Sequence, residues 1–184
     1  MRGDMIAFPS KKYSVIYADP SWKYNARKNT NTKFGGGAMG HYNTMSTKEI
    51  CELPVQRIAD DNCMIFLWVT PPKMKDGIQV LEAWGFQYLT IGFNWIKFNN
   101  DGSPFFGVGY YTKSNGEQCL LGRKGKPIKI SDCASSVILS PKLGHSQKPP
   151  EVRRRIVQLC GDVPRIELFA REKVDGWDAW GDQL

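Results

Sequence analysis

Short apolar runs alternate with helical patterns along most of the 184-residue chain. Ser14 to Ala18 (S-V-I-Y-A), Cys63 to Val69 (C-M-I-F-L-W-V), Tyr88 to Phe98, Gln118 to Gly122, Val137 to Leu139 and Arg165 to Phe169 (R-I-E-L-F) carry the β-branched and aromatic content of strands buried on both faces. Between them, Ser46-Thr47-Lys48-Glu49 forms a capping-box pattern that opens a helix toward Leu53. Met74 to Trp84 reads as a second helix stopped by Gly85, and Pro150 to Cys160 as a third stopped by Gly161. Strands separated by helices predict a three-layer α/β domain, a mostly parallel sheet with helices on both faces. Ligands of such sheets bind beyond the carboxyl ends of the strands. The length supports one well-buried core, so residues 1–184 are read as a single domain.

Two segments break the pattern. Lys23 to Gly40 is polar, basic and glycine-rich, and Asn99 to Gly116 interleaves polar residues with Phe105, Phe106, Tyr110 and Tyr111. Loops this long inside a compact domain are either floppy insertions or functional lids. The first begins directly after Asp19-Pro20-Ser21-Trp22, so both are expected to be mobile loops that grip substrate, basic groups meeting phosphates and aromatics stacking on bases.

A net charge of +7 and a pI near 9.2 sharpen that expectation toward a polyanionic partner. Lys23, Arg27, Lys28 and Lys33 in the first loop, and Lys113, Arg123, Lys124 and Lys126 around the second, are positioned to track a phosphate backbone. Arg153-Arg154-Arg155 read instead as a basic helix surface, because consecutive helical residues face different ways. The five cysteines form no C-x-x-C pair and lie mostly in apolar runs, which predicts reduced core residues and no zinc site. No apolar run reaches the roughly 18 residues of a membrane span, and the first residues do not form a signal peptide, so a soluble, cytoplasmic protein is expected.

Asp19-Pro20-Ser21-Trp22 falls at the end of the first strand, where chemistry is expected. Asp-Pro also opens ordinary turns. Yet a carboxylate and the Pro20 carbonyl can both accept hydrogen bonds from an exocyclic amino group, and a Trp ring can stack on a planar base. Proline fixes the backbone that presents them. Such a turn would clamp an aromatic amine.

These four residues resemble the D-P-P-W motif of amino-group methyltransferases, and the surrounding sequence is similar to the MT-A-seventy family, typified by the catalytic subunit of the eukaryotic mRNA adenosine-N6 methyltransferase. The likeness runs from about Tyr13 to the carboxyl terminus through Y-N-T-M-S (from Tyr42), I-F-L-W-V-T (from Ile65), W-G-F (from Trp84), N-W-I-K (from Asn94), G-E-Q-C-L-L-G (from Gly116), H-S-Q-K-P-P-E (from His145), R-I-E-L-F-A-R (from Arg165) and G-D-Q-L (from Gly181). It implies a Rossmann-like methyltransferase core in the permuted (beta-class) motif order, using S-adenosylmethionine.

By the resemblance, Asp19 and Pro20 receive the target amino group and Trp22 stacks on the base. Lys148 lies at the methionine end of the cofactor, Arg171 binds its ribose, and Asp182 with Gln183 stand near its adenine. Asp19 is shared between cofactor and substrate sides, and Tyr42, Glu117, Lys23, Arg27 and Lys28 join Trp22 on the substrate side. The implied reaction is methylation of adenine N6 in DNA, preferred over RNA because compact relatives resemble microbial and phage enzymes. A catalytically silent nucleic-acid-binding subunit is the alternative, disfavoured by the retained Asp19 and Trp22; methylation of an amide nitrogen is a third. A homodimer or a partner subunit is left open. Three departures stand out: Ser21 replaces the second proline, Glu172-Lys173-Val174 replaces Pro-His-Asn after Arg171, and Asp182 replaces Asn. Upstream of Tyr13 the family has a longer segment whose aspartate contacts the cofactor adenine; Asp4 aligns with it too loosely to be assigned that role.

Overall fold

The computed structural model describes residues 7–24, 44–107, 109, 111–144 and 147–184. Seven strands form one sheet: β1 (Tyr13–Ala18), β2 (Ala59–Val69), β3 (Gln87–Phe98), β4 (Gly116–Lys124), β5 (Val137–Pro141), β6 (Arg165–Leu168) and β7 (Asp178–Trp180). Their order is β5-β3-β4-β2-β1-β6-β7. Six run the same way and β4 alone runs antiparallel to its neighbours β2 and β3. The helices are α1 (Thr47–Cys51), α2 (Met74–Ala83) and α3 (Pro150–Cys160).

The alternation of strand side chains builds a core on each face. Ile16, Ala18, Ile65, Leu67, Val69 and Leu120 pack with Ile50 of α1 and with Val80 and Leu81 of α2. Val15, Tyr17, Phe66, Trp68, Phe93, Trp95 and Cys119 pack on the other face with Val152 and Ile156 of α3. Strands with apolar residues at both parities are therefore covered on both faces, and the three-layer expectation holds. Each helix ends as its sequence dictates. Ser46 and Glu49 close a reciprocal capping box on α1, Pro150 takes the first position of α3 where its missing N–H costs nothing, and Gly161 leaves α3 at φ 82°.

The strands run longer than the apolar pattern: β2 starts at Ala59, through the polar Asp60-Asp61-Asn62. β7 was not expected, because Asp178-Ala179-Trp180 is too short to show a period; its pairing with β6 defines it. The expected second loop folds back on itself, with bridges between Phe98 and Pro104 and between Gly107 and Ser114. Most of the first lies outside the described residues. Cys63, Cys119 and Cys160 are buried as expected, but Cys133 is exposed, since it precedes β5 in an irregular surface stretch. No described helix is long and apolar enough to cross a membrane.

Helix α2 lies flush on the sheet because Gly77 has no side chain. A Cβ there would sit 2.4 Å from Val69 Cγ1 and 3.0 Å from Leu120 Cδ1, and the β-branched Val69 has no rotamer to escape into. Alanine in a helix interior normally gains about 1 kcal/mol over glycine, whereas overpacking costs about 1–3 kcal/mol. Gly77→Ala is accordingly expected to lower the urea midpoint at unchanged m-value, although the substitution would stabilise an isolated helix.

Candidate active site

β1 sits between β2 and β6, so the residue after Ala18 emerges at the carboxyl edge of the sheet's middle. That residue is Asp19, whose N–H continues the ladder to the Leu168 carbonyl at 3.4 Å. The chain then turns sharply: the Trp22 N–H donates to the Pro20 carbonyl at 2.9 Å, spanning two residues. Ser21 does not have positive φ, so this is an inverse γ-turn, a conformation proline's ring also permits at the central position. The turn is fastened to the entry of α1 by Met45 N–H to Ser21 O and Lys23 N–H to Met45 O, both 2.8 Å. The Pro20 carbonyl thus keeps a second lone pair for another donor.

Trp22 is 6% exposed and belongs to the α1/α2 core, with its indole N–H donating to the Trp68 carbonyl at 3.0 Å. It forms a wall of the site more than a free stacking plate. Trp68 is the organising residue. Its carbonyl holds Trp22, its own indole N–H donates to the Tyr17 hydroxyl at 2.7 Å, and its ring lies 5.4 Å from the Lys148 ammonium.

Lys148 stands just before α3 and is almost wholly buried. Its Nζ is 2.7 Å from Asp19 Oδ2 and 3.3 Å from Glu117 Oε2, and Glu117 pairs on its other oxygen with Lys97. β4 supplies Glu117 from its amino-terminal end because it alone runs backwards. Burial opposes the Lys148 charge, but Asp19 and Glu117 outweigh it and hold the ammonium above the ordinary lysine pKa. Burial also works to raise Glu117, yet Lys148 and Lys97 together bring it below the usual carboxylate range. Burial pushes Asp19 up; Lys148 and Arg171 pull it back without cancelling the shift, and Glu117 adds to it.

These side chains surround a cavity of about 190 Å³ that is lined by Asp19, Pro20, Trp22, Glu117, Lys148 and Arg171, among others. Six residues expected from the sequence thus meet in one place. Trp68, Thr70 and Tyr24 also line it. Trp68 and Thr70 had been visible only as members of an apolar motif with no assigned role, and Tyr24 carried no signal. Lys97 likewise stood unassigned in N-W-I-K. The basic run on α3 is largely neutralised within the protein. Arg153 holds Glu167 through bonds of 2.7 and 3.0 Å, while Arg154 and Arg155 share Glu151.

Comparison with known proteins places the chain in a family. The MT-A70 family model matches residues 13–183. The chain belongs to the MT-A70 family. It is 38% identical to the type II methyltransferase M.MunI of a Mycoplasma species, covering 96% of this chain and 79% of that one. It is 31% identical to the Drosophila melanogaster N(6)-adenosine-methyltransferase MT-A70-like protein and 26% to the human N(6)-adenine-specific methyltransferase METTL4. The match spans 94–95% of this chain but only 27% and 38% of those two relatives.

Within this MT-A70 domain the remaining expected residues fall elsewhere. Asp182 and Gln183 are exposed just past β7, where Ala170 N–H donates to Trp180 O at 3.0 Å. That brings the tail alongside the residue preceding Arg171 but not into the cavity lining. Gly181 permits the approach: a Cβ there would lie 2.2 Å from Ala170 O. Glu172, one of the departures from the family pattern, lies 3.6 Å from Arg153. Lys23 is exposed and does not line the cavity. Tyr42, Arg27, Lys28, Lys33, Tyr110, His145 and Asp4 lie outside the described residues.

Removing Lys148 would leave two buried carboxylates facing one another. Lys148→Met is expected to cost about 3–5 kcal/mol, the usual penalty for breaking a buried pair. Adding Glu117→Gln to it should return part of that loss. Urea unfolding of both variants measures the difference.

Proposed function

We propose that this chain transfers a methyl group from S-adenosylmethionine to the exocyclic N6 amino group of adenine in DNA. The reading is carried by the buried Asp19 carboxylate at the end of β1, held by Lys148 beside the Pro20 carbonyl in a cavity. The donors around the cavity fit the cofactor. Lys148 has three N–H donors and the two carboxylates engage two of them, which leaves one for the methionine carboxylate. Arg171 stands at the mouth on the β6 side for the ribose, with Asp182 and Gln183 beyond it toward the adenine. When bound, the cofactor supplies an electrophilic methyl on a sulfonium.

The residues of this chain do the positioning. Asp19 Oδ1 and the Pro20 carbonyl each accept one N–H of the adenine amino group. This would orient the nitrogen lone pair toward the electrophile that the bound cofactor supplies. The carboxylate also stabilises the positive charge that develops on nitrogen, and the surplus proton leaves after transfer. Trp22 and Trp68 exclude water from one side. An amino group paired in a duplex is out of reach, so a double-stranded substrate requires the adenine to be flipped out.

DNA is favoured over RNA because this chain covers most of M.MunI and only a minor part of the adenosine-directed relative. A silent subunit is disfavoured, since Asp19 and Glu117 are both retained and are charge-balanced by Lys148 and Lys97. Incubation with methyl-labelled cofactor and single-stranded DNA, duplex DNA, RNA or protein extract is expected to label DNA. Asp19→Ala should abolish that labelling. Absence of nucleic-acid label above the Asp19→Ala background would refute the reading, and equal labelling by the variant would remove the role of Asp19.

The pH dependence has a definite sign. Asp19 offers its strongest acceptors and its negative charge only as a carboxylate, and burial raises its pKa. The acid limb of kcat/KM is therefore expected to inflect above the ordinary aspartate value of about 3.9.

A further inference from the structure

The reaction cavity continues past Tyr24 and Thr70 into a second, larger one of about 870 Å³, which these two residues also line. The Tyr24 hydroxyl and Thr70 Oγ1 lie 2.5 Å apart, so the pair forms the partition between them. Beyond it the groove is bounded by Pro71, Pro72, Ile96 and Gln118, with Tyr111 and Lys113 from the second loop. Tyr111 is fully exposed, and the Lys113 ammonium lies 5.0 Å from the Phe106 ring. Cationic groups and accessible rings along a groove are what a nucleic-acid strand meets, charge for the phosphates and a π-face for the bases.

Position and size say which ligand belongs there. The groove lies over β2, β4 and β3, whereas Arg171 follows β6 on the opposite side of β1. The groove therefore reaches Asp19 from the β2 and β4 side, away from Arg171. Ligand pockets run from about 300 to 1,000 Å³, so the groove of about 870 Å³ takes a nucleotide, while the 190 Å³ cavity has room only for the reacting groups.

Gln118 adds a reading group. It stands on β4 opposite Val69 and Asn94, and its Oε1 is buried without a hydrogen-bond partner among the described residues. An unpaired buried acceptor is costly to keep. Gln118 lines the groove, and a flip of its terminal amide would turn the unpaired oxygen toward a ligand there; a glutamine amide carries the acceptor and donor that can read a base edge.

We propose that this groove binds the nucleotide adjacent to the target adenine and that Gln118 reads its base. The assignment rests on the reaction given above to Asp19. Tyr24 then separates the target base from its neighbour, and Tyr111 provides the stacking surface.

The test replaces each neighbour of the target adenine by an abasic site in a single-stranded oligonucleotide. One such replacement is expected to lower wild-type kcat/KM by about tenfold. Gln118→Leu should cause a similar loss on the intact strand, and the two together no further loss. Losses that multiply, or no loss from either abasic strand, overturn the proposal. Fluorescence anisotropy with a labelled random-sequence oligonucleotide gives a reading independent of chemistry. Gln118→Leu and the surface variant Tyr111→Ala should each weaken binding, Tyr111→Ala by about tenfold, with cofactor affinity unchanged. Unaltered oligonucleotide binding, or weakened cofactor binding, overturns the proposal. Binding that responds as expected without methyl transfer by the wild type would instead sink the reaction assigned to Asp19 and leave the groove as a nucleotide site.

Discussion

One buried lysine shared by two carboxylates holds this site together. Lys148 lies between Asp19 and Glu117 with its side chain 7% exposed, and theirs 15% and 17%. A single buried carboxylate at the end of β1 would protonate rather than stay charged. Two would repel. With Lys148 between them, and Lys97 on the far side of Glu117, the charges alternate along a chain that can remain ionised out of bulk water. The sharing is unequal. Glu117 has two ammonium partners and is held fully ionised, whereas Asp19 has one and remains the more basic carboxylate. The more basic carboxylate is thus the one at the end of β1, beside the Pro20 carbonyl, where the proposed substrate would sit.

The sheet exists in the form this arrangement needs. Five of the site's groups come from the carboxyl ends of parallel strands or the turns after them: Asp19 and Pro20 after β1, Thr70 after β2, Lys97 near the end of β3, and Arg171 after β6. Glu117 reaches the same edge only because β4 enters the sheet in reverse. Trp68 then fixes the distance between layers, bonding to Trp22 on one side and Tyr17 on the other while its ring underlies the ammonium.

Much of this was legible in the sequence. Apolar runs with both parities filled gave the covered strands, and the capping box, Pro150 and Gly161 gave the helix ends. Asp19, Lys148 and Arg171 were found through motif order, because their chemistry is carried by residue type. What was not legible depended on partners far away in sequence. The reversal of β4 has no local signature, and β7 is too short to show a period. Trp22 is an indole with a core and a cavity within reach, and only packing decides which takes its face. Trp68 reads as core in any apolar run, so its three roles emerge only once Tyr17, Trp22 and Lys148 are beside it.

The Lys148–Asp19 ion pair joins residues 129 apart in sequence. Such a contact cannot help to nucleate folding, since the loop entropy of closing so much chain is recovered only after β1, β4 and α3 have docked. An ion pair made only after that docking would slow unfolding without speeding folding. The residues proposed to hold the amino group would therefore also act as a latch on the finished domain, its lifetime before unfolding set in part by the ammonium that pairs with Asp19.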